Sequence, residues 1–413
     1  TMAQTQSLPL KLWKWLSGYG LATTLLVLLG VQTWLATLEQ VEHGLLDTLN
    51  KYFHWRSWYV LAELWVLPQW FDRPLRIPLP GGYWVCALLL VNMICGGLIR
   101  ARKGWKTVGV LISHFGIIFM IAAGGVSQLF EQRGVMILIE GQRADYAVSL
   151  TDPTIEVMEI GEGKVVGDVS LAGASDLAGL ATEDTRLLRF PDRPFDLEIF
   201  GWVPNAIVRP GSGQSRLPTV DGWTLRELEE NKEAELDGQA CYARVVHQDG
   251  LKGDPFILAV PNPRHSGSMT EYAPQMVEAD GKQVAIRMVK QTIPVPFKVK
   301  LDDAVAEYFP NSSRPKAFHS DIERIEETGE PAKLRIQMNE PMRAGGFTFF
   351  QRTMGTGPQV QEGPEFSGFE VVSNPADKWP EYSLYVVTVG LLIHFLMKFS
   401  VFLGGSPKPK PEA

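Results

Sequence analysis

Apolar residues crowd into four long runs near the two ends of the chain and thin out between the last two. Residues 17–38, 81–99, 107–127 and 382–403 are each dominated by Leu, Val, Ile, Ala and Gly. At 1.5 Å rise per residue, about 20 such residues cover a hydrocarbon core of roughly 30 Å, so each run is expected to form a membrane-spanning helix. The first, YGLATTLLVLLGVQTWLATL, follows Lys11 and Lys14 as a signal peptide would. It is too long for one and lacks a small-residue cleavage site, so it reads as an anchor. The section 128–381 has a different rhythm, with short runs of alternating β-branched and aromatic residues. These include VMILIE (135–140), TIEVMEI (154–160), FDLEIFGWV (195–203), CYARVVH (241–247) and FILAV (256–260). QVAIRMV (283–289), FKVKLDD (297–303), KLRIQMN (333–339), FTFFQRTM (347–354) and FEVVSN (369–374) continue the pattern. Gly, Pro, Asn and Asp separate them, as in an antiparallel sandwich or barrel-like sheet. A helical insert is expected over 223–236, where TLRELEENKEAEL is rich in helix formers, and loops over 161–187.

The basic residues orient the spans. Lys11 and Lys14 precede the first, Arg100, Arg102, Lys103 and Lys106 separate the second from the third, and Lys398, Lys408 and Lys410 lie at or after the fourth. If every run crosses, all three places share one face, which the positive-inside rule makes cytoplasmic. The expected layout is a cytoplasmic tail at 1–16, spans at 17–38 and 81–99, a basic loop at 100–106, a span at 107–127, a last span at 382–403 and a disordered tail at 404–413. The fold class is then an integral membrane α-helical anchor of four spans, with a large extracytoplasmic all-β domain at 128–381 between spans three and four. The location is a bacterial-type cytoplasmic membrane, multi-pass, with the domain on the periplasmic side. Residues 39–80 carry Trp55, Trp58, Trp65 and Trp70 and suit an amphipathic element on the outer leaflet. A stacking platform for a flat ligand is the other reading of these tryptophans.

Net charge is −7, and with basic residues gathered in the cytoplasmic loops most of the acidity falls to the β domain. That balance suits a solvated surface and gives no reason to expect nucleic acid. Among 3 cysteines, Cys86 and Cys95 stand nearly opposite in helical phase and Cys241 is alone, with no CxxC or CxxCH motif. The chain is therefore neither a thioredoxin-like reductant nor a c-type cytochrome. No nucleophile elbow, phosphate loop or dinucleotide fingerprint occurs, so no catalytic residue is assigned.

Chemistry is expected at two histidines. His114 is the one ionisable residue in the run TVGVLISHFGIIFMIAAGGVS, and His394 is the one histidine of the last span. A polar side chain in hydrocarbon is costly and usually faces a partner, a cavity or a cofactor. Both lie in the cytoplasmic half, about 12 Å and 6 Å deep if Lys106 and Lys398 mark the boundary. Neutral imidazole is a standard axial ligand, so the pair could hold one haem iron; alternatively each bonds a neighbouring helix. Zinc or copper is disfavoured, since neither HExxH nor HxxxH spacing occurs. His43, His54, His247, His265 and His319 are scattered, with Cys241 and His247 at a spacing that shares a strand face.

Three N-terminal spans, a basic loop, His-x-Gly (His114, Gly116) inside a span, a large β domain and a final span together resemble the ResB/CcsB family. The most specific patches are 91–125 and 297–355. The second contains Tyr308-Phe309-Pro310, Asn339-Glu340-Pro341 and Phe350-Gln351, which match the family's Tyr-x-Pro, Asn-x-Pro and aromatic-Gln elements. The resemblance implies a subunit of system II cytochrome c maturation, which moves haem across the membrane and presents it to apocytochrome c for thioether attachment. The chain would be a non-catalytic half of the haem lyase, paired with a CcsA/ResC-like membrane protein and served by a thioredoxin-like reductant. The partner's tryptophan-rich haem segment has no counterpart here. His114 matches the family's in-membrane histidine, which would share transient haem ligation with a histidine of the partner rather than with His394. Two other readings compete: a scaffold that docks apocytochrome or reductant without ligating haem, and a membrane-anchored β-domain sensor.

Overall fold

The computed structural model describes residues 8–64, 75–211, 217–261, 272–279, 281–310, 315–355 and 364–403. Trp65, Trp70, His265 and the expected tail at 404–413 lie outside the described residues. The chain divides into a helical unit, 1–131 with 374–413, and a β unit, 132–373.

In the helical unit, α1 (Leu8–Leu16) occupies what was expected to be plain tail. The long helix α2 (Tyr19–His43) follows, then the short α3 (Leu45–Phe53) and a hairpin of β1 (Tyr59–Leu64) and β2 (Leu75–Pro80). Next come α4 (Gly82–Asn92), which continues as a π-helix over Met93–Ile99, then α5 (Val108–Phe130). Four helical stretches are long and apolar enough to cross a membrane: α2, α4 with its π-helix, Trp105–Phe130, and the C-terminal helix Trp379–Leu403. All four were legible from hydropathy alone. The segment 44–64 is not one amphipathic element, as expected, but a helix and a strand packed on the end of α2. Pro68, Pro74, Pro78 and Pro80 in the stretch that follows α3 cannot sit in a helix interior. Leu35, Ala36, Tyr52, Val60 and Ala62 form the small core that joins them. Glu39, buried at the same place, accepts hydrogen bonds from Lys51 Nζ, from Tyr52 Oη at 2.8 Å and from the Glu63 backbone N–H at 3.2 Å. A carboxylate with three donors keeps its charge without water.

The β unit opens with β3 (Gln132–Ile139), the 19-residue β4 (Arg143–Gly161) and β5 (Lys164–Ala172). The short helix α6 (Ala174–Leu177) leads to β6 (Thr185–Leu188), β7 (Phe195–Val203), β8 (Ala206–Pro210) and β9 (Trp223–Glu227). Then come β10 (Ala240–His247), β11 (Phe256–Ala259), β12 (Gln275–Ala279), the 27-residue β13 (Lys282–Tyr308) and β14 (Pro315–Ile325). β15 (Ala332–Gln337), β16 (Met342–Ala344), β17 (Phe347–Gly355) and β18 (Phe366–Ser373) complete it, and α7 (Trp379–Leu403) follows. The large sheet runs β15-β14-β13-β4-β3-β18-β17-β16, with β5 and β12 pairing β4 and β13 off that path. A second sheet runs β11-β10-β7-β6.

Two long strands serve two cores. The first half of β13 and the second half of β4 place Ile286, Met288, Ile155 and Val157 with Leu197, Ile199, Ala243 and Leu258 of the second sheet. The second half of β13 packs Val299 and Leu301 with Met136, Leu138, Phe349 and Phe369. Register shifts at Lys290/Thr292 and Pro294/Val299 mark the change, as bulges bend a strand that must turn from one core to another. In the second core the Gln351 of the Phe-Gln motif is buried. Its Oε1 accepts from Ser320 Oγ at 2.8 Å and its Nε2 donates to Ser367 Oγ at 2.7 Å, tying β14, β17 and β18. Gln351→Leu is expected to destabilise the protein by about 1–3 kcal/mol, since the Ser320 and Ser367 hydroxyls, 2.8 Å apart, then keep only each other. Chemical unfolding of the detergent-solubilised protein measures it.

Two expectations fail here. Residues 223–227 form β9, paired with β8, and 234–236 make a single 3₁₀ turn instead of a long helix. TLRELEENKEAEL has helix propensity, but Thr224 and Leu225 are buried beside Tyr242, and packing outweighs propensity over so short a run. Residues 164–172 form β5, not a loop; Val165, Val166, Val169 and Leu171 supply the β-branched and apolar character.

At the Lys290 bulge its ammonium reaches Gln239 Oε1 at 3.0 Å, the Asp237 carbonyl at 3.3 Å and the Thr151 carbonyl at 3.4 Å. Arg352 holds the same segment through both carboxylate oxygens of Glu235. Burial pulls Lys290 down to about 8, against the pull of Asp237, Asp152 and Glu235. The unfolded chain keeps this proton up to its ordinary value near 10.5, so stability should rise as pH climbs from 8 to 10.5 and be lost as pH drops back through that window to 8. Relative to Lys290→Met, the wild type is expected to gain on the order of 3 kcal/mol across that window. Unfolding curves at stepped pH give the difference.

Candidate functional site

In the helical unit, α5 and α7 run antiparallel along a seam of small residues. A Cβ built on Gly109 would lie 2.6 Å from both the Gly390 carbonyl oxygen and the His394 backbone nitrogen. One on Gly390 would meet Ser113 N at 2.6 Å, and one on Gly116 would meet Val387 N at 3.0 Å. The backbones touch, as small residues permit between helices in lipid. Ser113 Oγ donates to the Gly109 carbonyl at 3.0 Å and approaches that of Val387 at 3.4 Å.

Gly109, Ser113 and Gly116 lie within about 60° of one another around α5, and His114 lies about 140° from Gly109. His114 consequently turns away from the seam and toward span two. It is half-buried, and its Nδ1 lies 3.1 Å from the Gly97 carbonyl oxygen on the π-helix. His394 is also half-buried; its backbone sits on the seam at the level of Gly109, and its ring meets Phe395. Among the described residues no hydrogen bond or ring contact joins the two imidazoles. The His114 ring reaches span two, whereas it is the backbone of His394 that packs at the α5–α7 contact.

The π-helix is fixed from its other side. Asn92, buried at its start, donates to the Leu16 and Gly18 carbonyls at 2.6 and 3.1 Å, capping the break between α1 and α2. Arg100, just past its end, donates to Ser17 Oγ at 3.0 Å. Neither Asn92 nor Gly97 stood out in the sequence. An Asn at the end of an apolar run was the available signal, since a buried amide in lipid needs partners.

The remaining candidates have local roles. Cys241 is fully buried in the first β core, which pushes its thiol far above the usual range and leaves it inert. It makes no contact with His247. Trp58 and Trp84 stack at 4.0 Å, and Trp84 Nε1 donates to the Trp55 carbonyl at 3.0 Å, so these rings bind the loop after α3 to the start of α4. His54 Nδ1 accepts from the Arg56 N–H at 3.2 Å, which places the ring proton on Nε2 and leaves no lone pair for a metal. Asn339-Glu340-Pro341 forms the turn between β15 and β16 through paired Gln337–Glu340 backbone bonds. Glu140, Asp303 and Glu365 bring carboxylates within 4.8 Å of one another, two of the three residues being exposed.

Could the residues at His114 hold haem? A ligand imidazole must be neutral and offer an unprotonated nitrogen. His114 spends Nδ1 on Gly97, and among the described residues its Nε2 has no hydrogen-bond partner. The donor chemistry fits. Four helices able to cross a membrane and an extensive all-β region make this a multi-pass membrane protein of helical-anchor-and-β-domain class. The sequence model of the ResB-like family matches residues 266–363, which supports the resemblance to the ResB/CcsB family. The family suggests a role in cytochrome c biogenesis. No curated protein matches the chain.

Proposed function

We propose that this protein is the haem-handling, non-catalytic half of a system II cytochrome c synthase, working with a CcsA/ResC-like membrane protein. The observation that carries the proposal is His114: a half-buried imidazole inside a span, bonded through one nitrogen and open at the other. The Lys and Arg pattern supports placing residues 100–106 in the cytoplasm and the β unit on the far, periplasmic side. His114 would then meet haem early in its passage, holding the iron through Nε2 while the surrounding apolar helices exclude water. Bound haem supplies the vinyl groups that apocytochrome thiols attack, with a thioredoxin-like reductant keeping those thiols reduced. The β unit would face the apocytochrome. The second axial imidazole comes from the partner, as the match of His114 to the family's in-membrane histidine implies.

Deletion of the gene in its native host tests the role. Covalent haem should vanish from every c-type cytochrome while other haem proteins persist, and wild-type levels of covalent haem would reject the proposal. Copurification with the CcsA/ResC-like protein and a Soret band in the complex are the accompanying expectations. A complex that supports maturation yet never carries haem would favour the scaffold reading.

A further inference from the structure

We infer that Gly97 is the positioning residue for His114: its carbonyl selects the imidazole tautomer that leaves Nε2 able to bind a metal, and its missing side chain makes the room. The inference rests on the haem reading only for the identity of that metal.

A carbonyl oxygen can only accept. The 3.1 Å contact from His114 Nδ1 therefore requires the proton on Nδ1. A neutral imidazole has one N–H, so Nε2 must carry the free lone pair. In solution the two tautomers interconvert, and a ligand histidine is commonly locked by just such a bond to its other nitrogen.

The carbonyl is available because of where the helix ends. Span two closes as a π-helix over Met93–Ile99, in which the Arg100 N–H bonds back five residues to the Cys95 carbonyl at 2.9 Å. Carbonyls in the last turn of a helix lack partners within it, and Gly97 is in that turn. His114 satisfies it from the neighbouring span.

Space sets the residue type. A Cβ on Gly97 would lie 3.2 Å from His114 Nδ1 and 3.4 Å from Cγ, so the ring would have to shift by a few tenths of an ångström. The π-helix cannot retreat to make room. A Cβ on the adjacent Gly96 would already lie 2.8 Å from the Ser17 carbonyl oxygen, and Asn92 and Arg100 tie both ends of the turn to the α1–α2 junction. Two consecutive glycines thus let the turn wedge between that junction and His114.

Nitrogen-15 NMR of histidine-labelled protein in lipid nanodiscs, free of haem and with the rings neutral, reads the tautomer directly. His114→Gln assigns the signals by their loss. The wild type should show His114 with a protonated Nδ1 and an unprotonated Nε2, and Gly97→Ala should displace those signals or mix the tautomers. A protonated Nε2 in the wild type, or an unchanged Gly97→Ala spectrum, overturns the inference. If Gly97→Ala does not fold, dipolar coupling between carbonyl-carbon-13 glycine and His114 Nδ1 in the wild type decides, its absence being the negative result. In the partner complex, Gly97→Ala is expected to weaken haem binding about tenfold to a hundredfold. The expected tautomer in a complex that never carries haem would sink the haem reading and leave Gly97's role standing. Haem held by His114 with the opposite tautomer would do the reverse.

Discussion

His114→Ala is expected to remove the Soret band from the protein purified with its membrane partner and to abolish covalent haem in c-type cytochromes, with added imidazole restoring the band. The variant loses an axial ligand and leaves a gap of roughly imidazole size, which exogenous imidazole can enter. Its fold should survive, because the ring makes one hydrogen bond, to a carbonyl at a helix end, worth about 1 kcal/mol. The contrast with His394→Ala makes the result specific. That ring meets Phe395 of its own helix, and its removal should leave the Soret band in place. An unchanged spectrum for His114→Ala, or loss of the band only in His394→Ala, would move the ligand assignment away from span three.

The second large effect is steric. Gly390→Val should separate α5 from α7, since even a Cβ at 390 would lie 2.5 Å from Ser113 Oγ and 2.7 Å from the Gly109 carbonyl oxygen. These contacts are mostly with backbone, so a rotamer change cannot relieve them; overpacking of this kind typically costs 1–3 kcal/mol and here about that or more. Gly124→Ala is the matched control on α5. A Cβ there meets nothing within 4 Å, and the change should be neutral or stabilising by up to about 1 kcal/mol. Thermal unfolding in detergent compares the two. Equal midpoints for Gly390→Val and wild type would mean that the seam does not hold these helices together.

Much of the architecture could be read from residue patterns, for definite reasons. Spans are set by length and apolarity, and strands 195–203 and 347–354 by rough alternation and aromatic content, so local sequence sufficed. The strands that escaped notice depend on partners. β9 is helix-forming sequence held extended by β8 and the core around Tyr242. β14 is PKAFHSDIERI, too polar to stand out, yet it completes the second core through Ile322. At the candidate site the costly histidine in the third span was visible at once. Its orientation was not, because it depends on which α5 face the glycine seam claims. The Gly97 carbonyl was hidden altogether, since backbone groups carry no sequence signal except where a helix will end.

The antiparallel pairing of α5 with α7 joins segments separated by the whole stretch Gln132–Ser373. Yet the first and last strands of that stretch are neighbours, with Gln132 opposite Ser373. Once β3 and β18 zip together, the gap that the two helices must close shrinks from hundreds of residues to about ten, which lowers the loop-closure cost by about 3 kcal/mol. This favours a definite order of assembly. The β unit folds first and hands the last span its address, so a lesion that stalls the sheet should also leave the final helix searching for its groove.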